Sequence, residues 1–131
     1  MEVTSIRDLI PKSKHDLEAV DALREASLSS IIPILDDLLD WTADGNWPIA
    51  KPLADFLVSI GAPLKPAVQR VLQGDDGPFK YFCLHLIVAQ WPRDLKEDFQ
   101  KELLRLVEYP SDHDIAEELP EVAEEILATI R

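Results

Sequence analysis

Apolar residues recur along this chain at intervals of three and four, the spacing that gathers them on one face of an α-helix. Leu17, Val20 and Leu23 predict a first helix over roughly residues 14–26. Leu28, Ile31, Ile32, Leu35, Leu38 and Leu39 predict a second, ending near Trp41. Ile49, Leu53, Phe56, Leu57 and Ile60 predict a third, stopped by Gly61, and Leu64, Val68, Val71 and Leu72 a short fourth after Pro63, stopped by Gly74. Phe79 to Gln90 is apolar almost all round, as in a helix covered on several sides. Leu95, Phe99, Leu103, Leu106 and Val107 form a one-sided stripe, and Ile115, Leu119, Val122, Ile126 and Ile130 another, which Pro120 should split or kink. No stretch alternates apolar and polar residues for long enough to read as a strand. The expected class is all-α, with about seven helices.

The helices carry a weak repeat. Aligning Leu35/Leu38/Leu39 with Val68/Val71/Leu72 and Leu103/Leu106/Val107 gives periods of 33 and 35 residues, each triplet being followed by a turn with Asp or Ser. Periods of this size, built from helix pairs, predict a short HEAT-like α-solenoid, in which each pair hides its apolar face on the next. An irregular helical bundle is the alternative, and the tetratricopeptide pattern is missing. Length changes neither reading: 131 residues fit one domain spanning 1–131, long enough for a core without staples.

The densest punctuation is "DWTADGNWPIAKPLADFLVSIG", residues 40–61. Asn46 reads as an N-cap, with Pro48 in the first turn, where its missing N–H costs nothing. Pro52, four residues on, should bend the helix. The same grammar recurs in "GDDGPFKYF", with Asp75 or Asp76 as the cap and Pro78 opening a helix, and in "PSDHDIAEE", capped by Ser111 or Asp112. Trp41 and Trp47 flank the first turn. They are expected to plug the ends of adjacent helices; in the other reading one indole is exposed as an anchor for a partner.

"DWTADGNWPIAKPLADFL", "DDGPFKYFCLHLI" and "LRLVEYPSDHDIAEELPEVAEEIL" together resemble the bacterial family named domain of unknown function 5071. The similarity covers about residues 5–130, and Asn46-Trp47-Pro48 is its most specific part. It implies a small, helical, HEAT-like fold and a bacterial source. It brings no activity, cofactor or catalytic residue.

Charge narrows the partners. Lys and Arg number 13 against 25 Asp and Glu, a net −12. Residues 1–65 carry −5, residues 66–107 are neutral, and residues 108–131 carry −7. Such a surface repels phosphate backbones and anionic lipid, so neither nucleic acid nor membrane is expected as a partner. Arg93, Lys96, Lys101 and Arg105 are interleaved with acids in pairs such as Glu97–Lys101, so they form no DNA-facing stripe and argue against a glycosylase. Charges stand where a signal peptide needs an unbroken apolar stretch, so none is expected at the N-terminus, and the longest apolar run is about half a membrane span. With one cysteine, Cys83, no internal disulfide forms, and a reduced, cytoplasmic location is expected.

Chemistry is sparse. No glycine-rich loop leads from a strand into a helix, so no nucleotide fingerprint is present. Cys83 and His85 project about 200° apart on a helix and cannot act as a pair. "SDHD" at 111–114 and "DDLLD" at 36–40 offer carboxylates, but their plain reading is a solvated helix start and a solvated helix face. No catalytic residue, metal or cofactor is expected. The leading expectation is a non-enzymatic protein-interaction module whose partner is another protein, a basic one by charge. Its contact residues would be Trp41, Trp47, Glu117, Glu118, Glu121, Glu124 and Glu125. The alternative is an acidic immunity-type inhibitor of a basic toxin, and behind it an enzyme with a carboxylate site.

Overall fold

The computed structural model describes residues 6–130. Residues 1–5, on which part of the signal-peptide reading rests, and Arg131, counted in the C-terminal charge, lie outside the described residues. Among the described residues the chain is all-α, without strands. After a 3-10 turn at Ile6–Leu9 come α1 (Leu17–Glu25), α2 (Leu28–Ile31), α3 (Leu35–Asp40), α4 (Ala50–Ile60) and α5 (Lys65–Gln73). The second half holds α6 (Gly77–Leu86), α7 (Arg93–Glu97), α8 (Gln100–Glu108), α9 (Asp112–Ala116) and α10 (Leu119–Ala128).

Turn chemistry explains where several helices begin and end. Gly61 closes α4 at φ 77°, a conformation that favours a residue without Cβ. Asp76 caps α6, its carboxylate accepting from the Phe79 N–H at 3.1 Å, with Pro78 in the first turn where its missing N–H is harmless. Ser111 caps α9 in a reciprocal capping box with Asp114. Pro120 splits the C-terminal stretch as expected. α10 starts one residue before it, and Glu118 makes the corner in the left-handed region at φ 60°, a conformation that costs a non-glycine residue about 1 kcal/mol.

Other expectations are corrected. Asn46 caps nothing: α4 begins only at Ala50, and the Asp44 carboxylate accepts from the Asn46 N–H at 2.8 Å in a separate turn. Pro52 is therefore the third residue of α4, inside the first turn, and it has no helical hydrogen bond to break. The predicted second helix is interrupted at Pro33, where a 3-10 turn, Ile32–Ile34, separates α2 from α3. The 95–107 stripe is likewise two helices, α7 and α8. Glu97 and Lys101 thus lie on different helices, and Glu97 instead accepts from Arg93 at 2.9 Å. Ile115 does not join the last stripe; it is 56% exposed.

The buried apolar residues form one cluster running through the chain, with Leu38, Leu53, Leu72, Leu84 and Leu103 inside it. The repeat triplets Leu35/Leu38/Leu39 and Val68/Val71/Leu72 are wholly buried, as are Leu103 and Leu106, whereas Val107 is only half-buried. α1 packs on α4, α4 on α6 and α6 on α10, while α3 packs on α5. Across these rows α3 meets α4, α5 meets α6, and α10 lies along α8 in the most extensive contact of all.

Candidate functional site

The tryptophan turn is built from the inside. Thr42, fully buried, donates through Oγ1 to the Leu39 carbonyl at 2.7 Å and closes the end of α3. The Ile49 N–H donates to the Lys14 carbonyl at 3.0 Å, which ties the far side of the turn to the segment before α1. Gly45 lies against the Phe82 ring of α6 so closely that a Cβ there would overlap Phe82 Cδ1. Trp41 and Trp47 are both half-buried against the core. Their rings meet at 5.9 Å and 56°, within the range of favourable aromatic contact. Neither indole stands out alone from the surface.

The other predicted contact residues gather at the opposite end of the sequence. Along α10, Leu119, Val122, Ala123, Ile126 and Leu127 are buried, while Glu121, Glu124, Glu125 and Ala128 are exposed. The outward face continues through Pro120 and borders an open groove of about 520 Å³. Val107 of α8 forms the other wall. The apolar lining comes from Val107, Pro120 and Ala128, and the rim is three carboxylates. Glu117 is not part of this groove: it is half-buried, its side chain folded over Gly77, where a Cβ would come within 2.5 Å of Glu117 Cγ. Glu118 is exposed at the corner, and both it and Glu117 border a smaller hollow with Pro78, Tyr81 and Phe82.

Behind that corner lies a site that the sequence concealed. Asp114 was expected on a solvated helix start, yet its side chain is only 3% exposed. Its Oδ2 accepts from the Ser111 N–H at 3.0 Å, and its own N–H donates to Ser111 Oγ at 3.0 Å. Lys80 Nζ, from the apolar side of α6, stands 3.6 Å from Oδ1; Arg105 Nη1, from α8, stands 3.6 Å from Oδ2. Burial alone would raise the Asp114 pKa, but the Ser111 hydrogen bonds and the two cations outweigh it and hold the carboxyl below its ordinary value. One carboxylate thereby ties three helices together. The available signal was Lys80, a lysine inside an otherwise apolar helix, which requires a buried partner.

A longer polar cleft of about 650 Å³ runs between α5 and α8, lined by Gln69, Gln73, Phe99, Lys101 and Glu102 among others. Lys65 and Asp98 cross it at 2.8 Å. Arg105 is held by Glu102 at 3.1 Å as well as by Asp114, so the cleft's charges largely answer one another. On α3, Asp36 and Asp40 each take one nitrogen of Arg70 from α5, both at 3.0 Å, and Asp37 lies 3.8 Å from Arg7. The "DDLLD" run is therefore a helix-to-helix tie rather than a bare solvated face.

Cys83 is fully buried, and burial, opposed only by the charge of Arg70, pushes its thiol up to about 12. A thiol in that state is a poor nucleophile at neutral pH. His85 is half-buried with its ring 4.5 Å from that of Tyr81. Among the described residues no group of three or more His, Cys, Asp or Glu side chains is placed to hold a metal ion, and no helix is long and apolar enough to cross a membrane.

Among curated proteins, a search with the sequence finds no match. A family described as "Domain of unknown function (DUF5071)" matches residues 9–127, which takes in every helix from α1 to α9 and nearly all of α10. The chain belongs to that family.

Proposed function

We propose that this chain is a non-enzymatic protein-interaction module, a HEAT-like stack of helix pairs that meets a basic partner protein through its outward α10 face or its tryptophan turn. The observation that carries this reading is the division of α10. One face is sealed into the core, and the other presents carboxylates around an apolar lining. The groups best suited to chemistry are occupied otherwise: Asp114 in its cap and ion pairs, Cys83 in the core, Asp36 and Asp40 on Arg70. The contacts along α1, α4, α6 and α10, with α3 on α5 beside them, support the stacked-pair reading of the fold. The net −7 over residues 108–131 favours a cationic partner and speeds its encounter.

The test is affinity capture from the native lysate, with the wild type compared against Trp47→Ala and against charge reversal at Glu121, Glu124 and Glu125. One dominant basic protein, held by the wild type and lost from one of the variants, is expected. Retention of every captured protein by both variants would overturn the proposal.

A further inference from the structure

We infer, resting on the interaction reading above, that the α8–α10 groove receives a basic amphipathic helix, one apolar side chain of which seats over Val107, Pro120 and Ala128. The spacing of the rim argues for a helix. Glu121 and Glu125 are one turn apart on α10, about 6 Å between Cβ atoms, so lysines one turn apart on a partner helix come into register with them. The outward face from Pro120 to Ala128 rises about 12 Å, close to two turns of such a partner. The apolar lining supplies what a purely ionic contact lacks: surface that water leaves when a leucine or isoleucine side chain covers it. The glutamate stems extend that surface upward while their carboxylates stay in solvent.

Charge decides which helix. The side chain contributed by α8 is the neutral Val107, Glu121 and Glu125 of the rim are exposed carboxylates, and residues 108–131 carry a net −7. An acidic or neutral amphipathic helix would set like charge against the rim or leave it unanswered, so the apolar contact alone would have to hold it. The half-burial of Val107, where its repeat counterparts Leu39 and Leu72 are sealed, has the same origin: its outer side is the groove wall.

The probe is a labelled, end-capped, alanine-based helix of roughly 15 residues, with one leucine flanked by lysines three and four positions away. Saturable binding to the full chain is expected, with amide shifts confined to Val107, Glu121, Glu125, Ala128 and their neighbours. Glu121→Lys with Glu125→Lys should weaken binding about tenfold at low salt, and so should Ala128→Trp, which fills the groove without altering charge. Peptides with glutamate for lysine, or alanine for leucine, should bind correspondingly worse. Absence of saturable binding, shifts mapping elsewhere, or indifference to the rim reversal would each overturn the inference. Its failure is separable from that of the module reading. A native partner lost on Trp47→Ala but kept by the rim variant sinks the groove alone, whereas one kept by both variants sinks the module as well.

Discussion

Asp36, Asp37 and Asp40 of α3 and Glu121, Glu124 and Glu125 of α10 place three carboxylates each on five successive helical residues, and in sequence they are near twins. The tertiary structure separates them. α3 lies against α5, whose Arg70 reaches both Asp36 and Asp40, and those two acids hold its guanidinium above its ordinary pKa against the opposing effect of burial. α10 lies along α8, and the α8 side chain that lines the groove beside Glu121 and Glu125 is Val107. A carboxylate run becomes a tie or a rim according to which side chain the neighbouring helix brings to it. Asp114 is the limiting case, a single acid drawn wholly inside and answered by two cations.

That ordering, from buried tie to exposed tie to rim, can be broken by mutation. Asp114→Ala should have the largest effect, about 3–5 kcal/mol of unfolding free energy, because it leaves Lys80 charged and buried without its acid and removes the α9 capping box. Denaturant melts at neutral pH measure it. The sign with pH follows from the lowered pKa. Asp114 contributes in full above its unfolded value of about 4, and the contribution fades as pH falls through the lower folded value. The gap between wild type and Asp114→Ala should therefore narrow below about pH 4; a constant gap would show that the carboxylate's charge is not what matters.

Gly45→Ala comes next. Its Cβ would press into the Phe82 ring, and overpacking of this kind costs about 1–3 kcal/mol. A thermal melt indistinguishable from wild type would mean that the tryptophan turn can lift off α6 freely. Arg70→Ala should cost no more than about 1 kcal/mol, since its two pairs with α3 are roughly half exposed, and the difference should shrink in high salt. A loss as large as that for Asp114→Ala would collapse the distinction between exposed and buried ties. Smallest of all, Glu121→Lys with Glu125→Lys should change stability by no more than about 0.5 kcal/mol. Partner capture, by contrast, should fall. Destabilisation without loss of capture would turn the rim into another tie.

Much of the fold was legible along the chain because helical periodicity is a local property. The buried faces of α4, α5 and α10 follow the three-and-four spacing, and Gly61, Gly74, Asp76 and Ser111 stand at helix boundaries for reasons contained in a few neighbouring residues. Where local signals compete, spacing alone misplaces a boundary. Asn46 has the chemistry of a cap, but it sits in a separate turn closed by Asp44 and α4 starts only at Ala50, which also relieves Pro52 of any kink. Ile115 has the right spacing for the last stripe, but Glu118 turns the chain between it and Leu119, so the phase is not carried across.

The site divides along the same line. Trp41, Trp47 and the α10 glutamates were identifiable as conspicuous residue types, yet their environments were not: the indoles touch each other, and Glu117 folds away over Gly77 while Glu121 and Glu125 face the groove. Lys80, Arg105 and Asp114 meet across as many as 34 residues, and no spacing rule joins them.

By itself, then, the sequence determined an all-α chain, most of its helix faces, and an acidic C-terminal segment, because each depends on the periodicity or composition of a short segment. Only the tertiary structure decided which acids are neutralised, which is buried, and which border an apolar groove. Those outcomes depend on the charge and size of a side chain that arrives from a distant helix, and the energy of an ion in a protein is set by what stands within a few ångströms of it.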